Sequence, residues 1–182
     1  MPKLNLGSGP QKGAGEWLNC DILEGADVVV DLSKGIPMND CSLDLVYSSH
    51  FFEHLSYHEV CFVMQECFRI LKIGGSFSVC VPDARRYIHS YVNGEGEGNS
   101  FPSFFREGAV IYPKGVVKTG SPIDWVNYIA YSNSCHKYLF DSVNLMAHFR
   151  LAGFAAPKSR SFDPSLDIEA RDFESIYVVA TK

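Results

Sequence analysis

The run Lys3-Leu4-Asn5-Leu6-Gly7-Ser8-Gly9 constrains this chain more than any other stretch. A short apolar strand ends in Gly-x-Gly, which lets the backbone turn sharply and come close to a ligand. An isolated acid, Asp21, closes the next strand-like segment. An acid there can hold a pair of ribose hydroxyls. The combination points to a nucleoside-containing cofactor at the carboxyl edge of a parallel sheet.

The rest of the first half supports that architecture. Strand-like runs at Leu4–Leu6, Trp17–Ile22, Asp27–Leu32, Leu43–Ser49 and Ser76–Val81 carry few charges, as strands covered on both faces do. After the fourth run, Ser56 and Glu59 are spaced as a capping box, with Leu55 and Val60 as a hydrophobic staple. Val60, Val63, Met64, Cys67, Phe68 and Leu71 then recur at helical spacing, and Gly74-Gly75 ends the helix. A second helix is expected from the N-cap Asp141 to Gly153. Lys158–Phe162 and Ser175–Ala180 read as a closing strand pair.

One domain, residues 1–182, is expected, with 91–137 as an inserted cap. That insertion opens on Gly94-Glu95-Gly96-Glu97-Gly98-Asn99 and continues through Phe101, Phe104, Phe105, Tyr112, Trp125, Tyr128 and Tyr131. An excursion this long in a small domain is usually functional. The bland alternative is a satellite core.

Composition narrows the partners. The formal net charge is -5 with no basic run, so nucleic acid is not expected. No apolar run is long enough to span a bilayer. The start Met1-Pro2-Lys3 leads straight into a strand, so no signal peptide is expected. The six cysteines include no Cys-x-x-Cys and read as reduced residues of a cytoplasmic protein.

Two cofactor classes fit poorly. Gly7-Ser8-Gly9 is followed by Pro10-Gln11-Lys12-Gly13, so the third glycine of the dinucleotide fingerprint is displaced, and Asp21 comes too early. No Gly-Lys-Ser/Thr follows the first glycine, which excludes a P-loop.

The ordered series from Leu4 to Pro10, Trp17 to Asp21, Asp31-Leu32, Ser42 to His50, Glu53-His54-Leu55, Glu66 to Gly75 and Val81-Pro82-Asp83 resembles the class I S-adenosylmethionine-dependent methyltransferases. Within them it is most similar to the short type 11 methyltransferase-domain proteins. The late Ala152-Gly153-Phe154 also matches. The resemblance implies an α/β, doubly wound, mostly parallel sheet (the Rossmann-like methyltransferase fold) with an antiparallel last strand. It implies S-adenosylmethionine as cofactor. Gly7, Ser8 and Gly9 would face its methionine part, Asp21 its ribose, and Asp31 with Leu32 its adenine. Ser48, Ser49 and His50 would stand between cofactor and substrate, and Asp44 would be structural.

This chain departs from the pattern in one place. Only Pro10–Glu16 separate Gly9 from Trp17, whereas a parallel crossover usually needs about a dozen residues and a helix. The first helix is therefore expected to be absent or reduced to a turn. That shortening motivates the alternative of a non-catalytic binding or regulatory module.

For chemistry, His50 and His136 are the candidate bases, should the acceptor need one. Asp83 is either a substrate-side residue or a helix cap. His50-Phe51-Phe52-Glu53-His54 also matches H-x-x-E-H, an inverted zinc-protease pattern. No metal is expected there, because little more than a turn is available and no distant acidic motif supplies a third ligand. The expected activity is methyl transfer to a small-molecule or sugar- or lipid-linked biosynthetic acceptor. The sequence names neither the acceptor atom nor the oligomeric state.

Overall fold

The computed structural model describes residues 2–10, 16–105, 119–132 and 134–182. Among them, β1 (Lys3–Leu6), β2 (Trp17–Asp21), β3 (Val28–Val29), β4 (Leu43–Ser49), β5 (Leu71–Pro82), β6 (Ala155–Ser159) and β7 (Ser175–Thr181) form one sheet. Its order is β3-β2-β1-β4-β5-β7-β6. The pairs from β3 to β5 are parallel, and β7 lies antiparallel to both β5 and β6. The helices are α1 (Tyr57–Ile70), α2 (Ala84–Val92), α3 (Ile123–Tyr131) and α4 (Ser142–Leu151).

The strand order reverses at β1, and both β2 and β4 pair with it. In open α/β sheets this switch point opens a crevice at the carboxyl ends of the strands. The helix caps behave as their sequences require. Glu59 reaches back to accept from the Ser56 amide at 2.7 Å. Asp141 accepts from the amides of Val143 and Asn144 at 2.9 and 2.8 Å. Such caps satisfy donors that a helix leaves unpaired.

One apolar core joins the sheet to α1 and α4. Val60, Val63, Met64 and Cys67 of α1 meet Leu4, Leu6, Val46 and Phe77 of the sheet, with Leu145 and Phe149 of α4. A separate cluster combines Ala84 and Tyr87 of α2 with Trp125 and Ile129 of α3. Phe104, Phe105 and Tyr128 pack against it, so aromatics of the 91–137 insertion form a satellite core. Tyr112 and most of the shortened first crossover lie outside the described residues.

Three element boundaries differ from expectation. The run 27–32 is extended only at Val28–Val29, because Asp31 caps a 3-10 turn over Leu32–Lys34. Helix α1 ends at Ile70, before Gly74-Gly75, since Leu71 already pairs with Leu43. The register then shifts before Ser76 pairs with Leu45, and Gly74 takes a φ of 81° in that irregularity. The β6 ladder begins at Ala155 and stops at Ser159 rather than running to Phe162. The Arg160 amide still donates to the Tyr177 carbonyl at 3.1 Å, and its guanidinium turns inward to Asp167.

Candidate functional site

A cavity of about 990 Å³ opens at the switch point. That is at the upper end of the range for small-molecule and cofactor sites. Its floor is the glycine turn. Gly7 and Gly9 take φ values of 61° and 58°, a region that favours glycine. The Gly7 amide donates to the Cys20 carbonyl at 2.9 Å. A β-carbon on Gly7 would lie 2.3 Å from the Phe51 ring, so the turn and the segment after β4 close against each other there. A β-carbon on Gly9 would meet nothing within 4 Å.

Asp21 ends β2 and is 8% exposed. Its Oδ2 accepts from the Gly9 amide at 2.8 Å, and its Oδ1 accepts from the Leu23 amide at 3.0 Å. An ionised carboxylate has about four acceptor sites. Each oxygen of Asp21 therefore keeps one site in reserve, side by side at the cavity wall. Asp31 is more fully committed. Its Oδ1 accepts from the Ser33 amide at 3.1 Å and from the Ser33 hydroxyl at 2.6 Å, and Lys34 pairs with Oδ2 at 2.8 Å. The Lys34 contact is the main cause that holds the Asp31 carboxyl at about 2. Leu32 and Ser33 line the cavity beside it.

Ser48 does not line the cavity. Its hydroxyl donates to the Leu6 carbonyl at 3.1 Å inside the sheet. Ser49 and His50 do line it. His50 leaves β4 with a φ of 50°, its amide donating to the Cys80 carbonyl at 2.9 Å. Its Nε2 lies 2.8 Å from Ser175 Oγ. That hydroxyl donates its own hydrogen to the Arg171 carbonyl at 2.6 Å. Ser175 Oγ must then accept, so His50 carries its proton on Nε2 and leaves Nδ1 unprotonated. Burial, with Arg171 beside it, holds the imidazole well below its ordinary pKa.

The turn Phe52–His54 follows immediately. Glu53 is 3% exposed, with Oε1 3.6 Å from His50 Nδ1 and 4.0 Å from His54 Nε2. Its Oε2 is buried with no hydrogen-bond partner. Burial pushes the Glu53 carboxyl up to about 8. The chain returns to this turn from the insertion. The amides of Lys137 and Tyr138 both donate to the Glu53 carbonyl, at 2.8 and 3.2 Å. His54 Nδ1 meets the Cys135 carbonyl at 3.0 Å, and His136 Nδ1 meets the Ile129 carbonyl at 2.8 Å. The two imidazoles sit edge to face, 5.0 Å between centroids.

Two residues take structural roles. Asp44 pairs with Lys72 at 2.9 Å at the far end of β4. Asp83 caps α2 by accepting from the Arg85 amide at 3.0 Å, and it is not among the cavity residues. Sequence reasoning missed one wall altogether. Ser165, Leu166, Ile168 and Arg171 line the cavity from the loop before β7. That loop is held by Arg160, which meets Asp167 at 2.5 and 2.7 Å, and by the Tyr47 hydroxyl donating to Asp167 at 2.9 Å. A lone Arg and Asp in an irregular stretch gave no local signal of this.

With this geometry in place, the likenesses to known proteins are specific. Residues 11–79 match the family of methyltransferase domains. The fold is shared with an S-adenosylmethionine-dependent methyltransferase from Archaeoglobus fulgidus, at 16% identity over 100% of this chain and 86% of that one, TM-score 0.58. One from Mesorhizobium loti is similar at 16% identity over 100% and 90% of the two chains, TM-score 0.58. A Thermotoga maritima protein described as a possible histamine N-methyltransferase is similar at 16% identity over 100% and 82%, TM-score 0.55. No curated protein matches the sequence. The chain thus has the fold of S-adenosylmethionine-dependent methyltransferases, and residues 11–79 within it match a methyltransferase domain.

Proposed function

We propose that the protein transfers a methyl group from S-adenosylmethionine to a small-molecule or sugar- or lipid-linked acceptor within the cavity at the switch point. The observation that carries this reading is the buried Asp21 carboxylate. Its two oxygens each keep one acceptor site beside a glycine turn with open space over Gly9. That pattern fits a vicinal pair of ribose hydroxyls, bound by charge-assisted hydrogen bonds. Gly7, Ser8 and Gly9 would hold the methionine part, and Leu32 with the turn capped by Asp31 would border the adenine. Ser48 supports this pocket from behind through its bond to Leu6.

The bound cofactor supplies an electrophilic methyl on a sulfonium, and transfer is an in-line displacement. This chain's part is to fix the two reactants in line and keep water out. His50 stands at the strand edge, neutral, with Nδ1 unprotonated, and so suits removal of a proton from a hydroxyl acceptor. His136 faces His54 and Glu53 rather than lining the cavity, which makes it the lesser candidate base. The end of the insertion would border the acceptor side, since Cys135 and Lys137 line the wall beside His54.

Isothermal titration with S-adenosylmethionine and S-adenosylhomocysteine tests the reading. Stoichiometric micromolar binding is expected, and absence of binding to both overturns it. Turnover over an acceptor panel then identifies the acceptor, and a His50→Gln variant should bind the donor normally while losing turnover of hydroxyl acceptors.

A further inference from the structure

We propose that Glu53, His54 and His136 form a binding site for one divalent transition-metal ion of the zinc class at the acceptor side of the cavity. One donor atom from each lies within 4.8 Å of the other two, the one such group among the described residues. The donor set, two imidazoles and one carboxylate, is a familiar ligand set for zinc and for ferrous iron.

Three independent features support an ion rather than a chance cluster. First, both histidines are already oriented as ligands. Each turns Nδ1 to a backbone carbonyl, Cys135 for His54 and Ile129 for His136. A donor Nδ1–H leaves Nε2 unprotonated, and this second hydrogen bond is what metal-bound histidines almost always make. Second, Glu53 Oε2 is buried without any partner. A buried polar atom left unpaired is costly and calls for a ligand. Third, the backbone brings the distant ligand in. Lys137 and Tyr138 hydrogen-bond the Glu53 carbonyl, which pins the residues after His136 to the turn carrying the other two.

Tetrahedral ligands with bonds of about 2.0–2.1 Å stand about 3.4 Å apart. The present spacing, up to 4.8 Å, needs a contraction of up to about 1.4 Å, which the His54 side chain, 42% exposed, can supply by swinging inward. The nearby charges are Arg171 and Glu174, of opposite sign. Three protein ligands leave at least one position for water or an acceptor oxygen, the arrangement of catalytic rather than structural sites. His54 borders the cavity, so an acceptor bearing oxygen donors fits that position.

The test is a Co²⁺ titration of the metal-stripped full chain, followed by visible absorption, with Zn²⁺ as competitor. It is run without S-adenosylmethionine, so its outcome is separate from that of the methyl-donor reading. One equivalent of Co²⁺ displaced by Zn²⁺ is expected, with His54→Gln and His136→Gln each weakening binding about tenfold or more. Glu53→Gln should weaken it too, and circular dichroism checks that this buried variant still folds. The exposed-site pair His58→Gln with His89→Gln should leave binding unchanged. No saturable Co²⁺ binding overturns the proposal. So does binding that survives both histidine variants, or that the surface pair abolishes.

Discussion

The two walls of the cavity are built in opposite ways. In the proposed reading the donor wall is local: β1, the glycine turn, Asp21 and the turn after Asp31 come from the first stretch of the chain and offer backbone groups and carboxylates to the cavity. The acceptor wall is assembled from three distant places: the end of β4, the residues following α3, and the loop before β7. Its recognising atoms are imidazoles and buried titratable groups. In the proposed reading the donor wall would meet the methyl donor through few, closely spaced residues. In the proposed reading the acceptor wall would be the variable one, built largely from loops.

The sharpest way to break the comparison is at the seam, where Gly7 meets Phe51. Gly7→Ala adds a methyl into the Phe51 ring and forces a residue with a β-carbon into a positive φ. It should cost about 3 kcal/mol or more in chemical denaturation. If the loss is below about 1 kcal/mol, the two walls are not tightly joined there. Asp21→Ala should act on the donor wall alone. It removes charged hydrogen bonds worth on the order of 1.5–3 kcal/mol, a ten- to hundredfold weaker Kd for S-adenosylmethionine by calorimetry. Undiminished binding would remove Asp21 from the site.

A third prediction concerns a buried histidine of α4, away from the cavity. His148 is 4% exposed, and burial holds its imidazole below the ordinary value. Below pH about 6.5 the unfolded chain takes up a proton that the native His148 refuses. Stability should therefore fall as pH drops from about 6.5 through the lower folded pKa, and His148→Gln should flatten that part of the profile. An unchanged slope would show that His148 does not contribute to acid sensitivity. The smallest effect is expected at Asp141, where loss of the cap in Asp141→Ala should cost about 1 kcal/mol and leave both walls intact. A change in donor affinity in that variant would contradict the separation of helix α4 from the site.

The same contrast governs what was legible in the residues alone. The capping box at Ser56 and Glu59 and the cap at Asp141 rest on contacts within a few residues, and the strand Leu43–Ser49 and Asp21 carry residue patterns that are recognisable although their partners are distant. The early start of β5 at Leu71 is a pairing with Leu43, which no local pattern encodes. Ser48 faces inward because β1 lies beside β4, again a tertiary fact. The meeting of His136 with Glu53 and His54 depends on two amides finding one carbonyl across the fold. Pattern reasoning found H-x-x-E-H but had no means to supply the donor that joins it.

The borders of the sheet have a consequence for how copies of this protein behave together. A sheet's last strands present unpaired amides and carbonyls on which other chains can stack. Here one border is the two-residue β3, too short to template a partner. The other is β6, where Pro157 lacks an amide hydrogen, Lys158 brings charge, and the ladder shifts register between Ala155 and Lys158. Ala156, with a φ of 44°, kinks the strand within that shift. Both borders thus discourage fibrous growth during expression and storage, and a Pro157→Val, Lys158→Val double replacement is where aggregation resistance would first be lost.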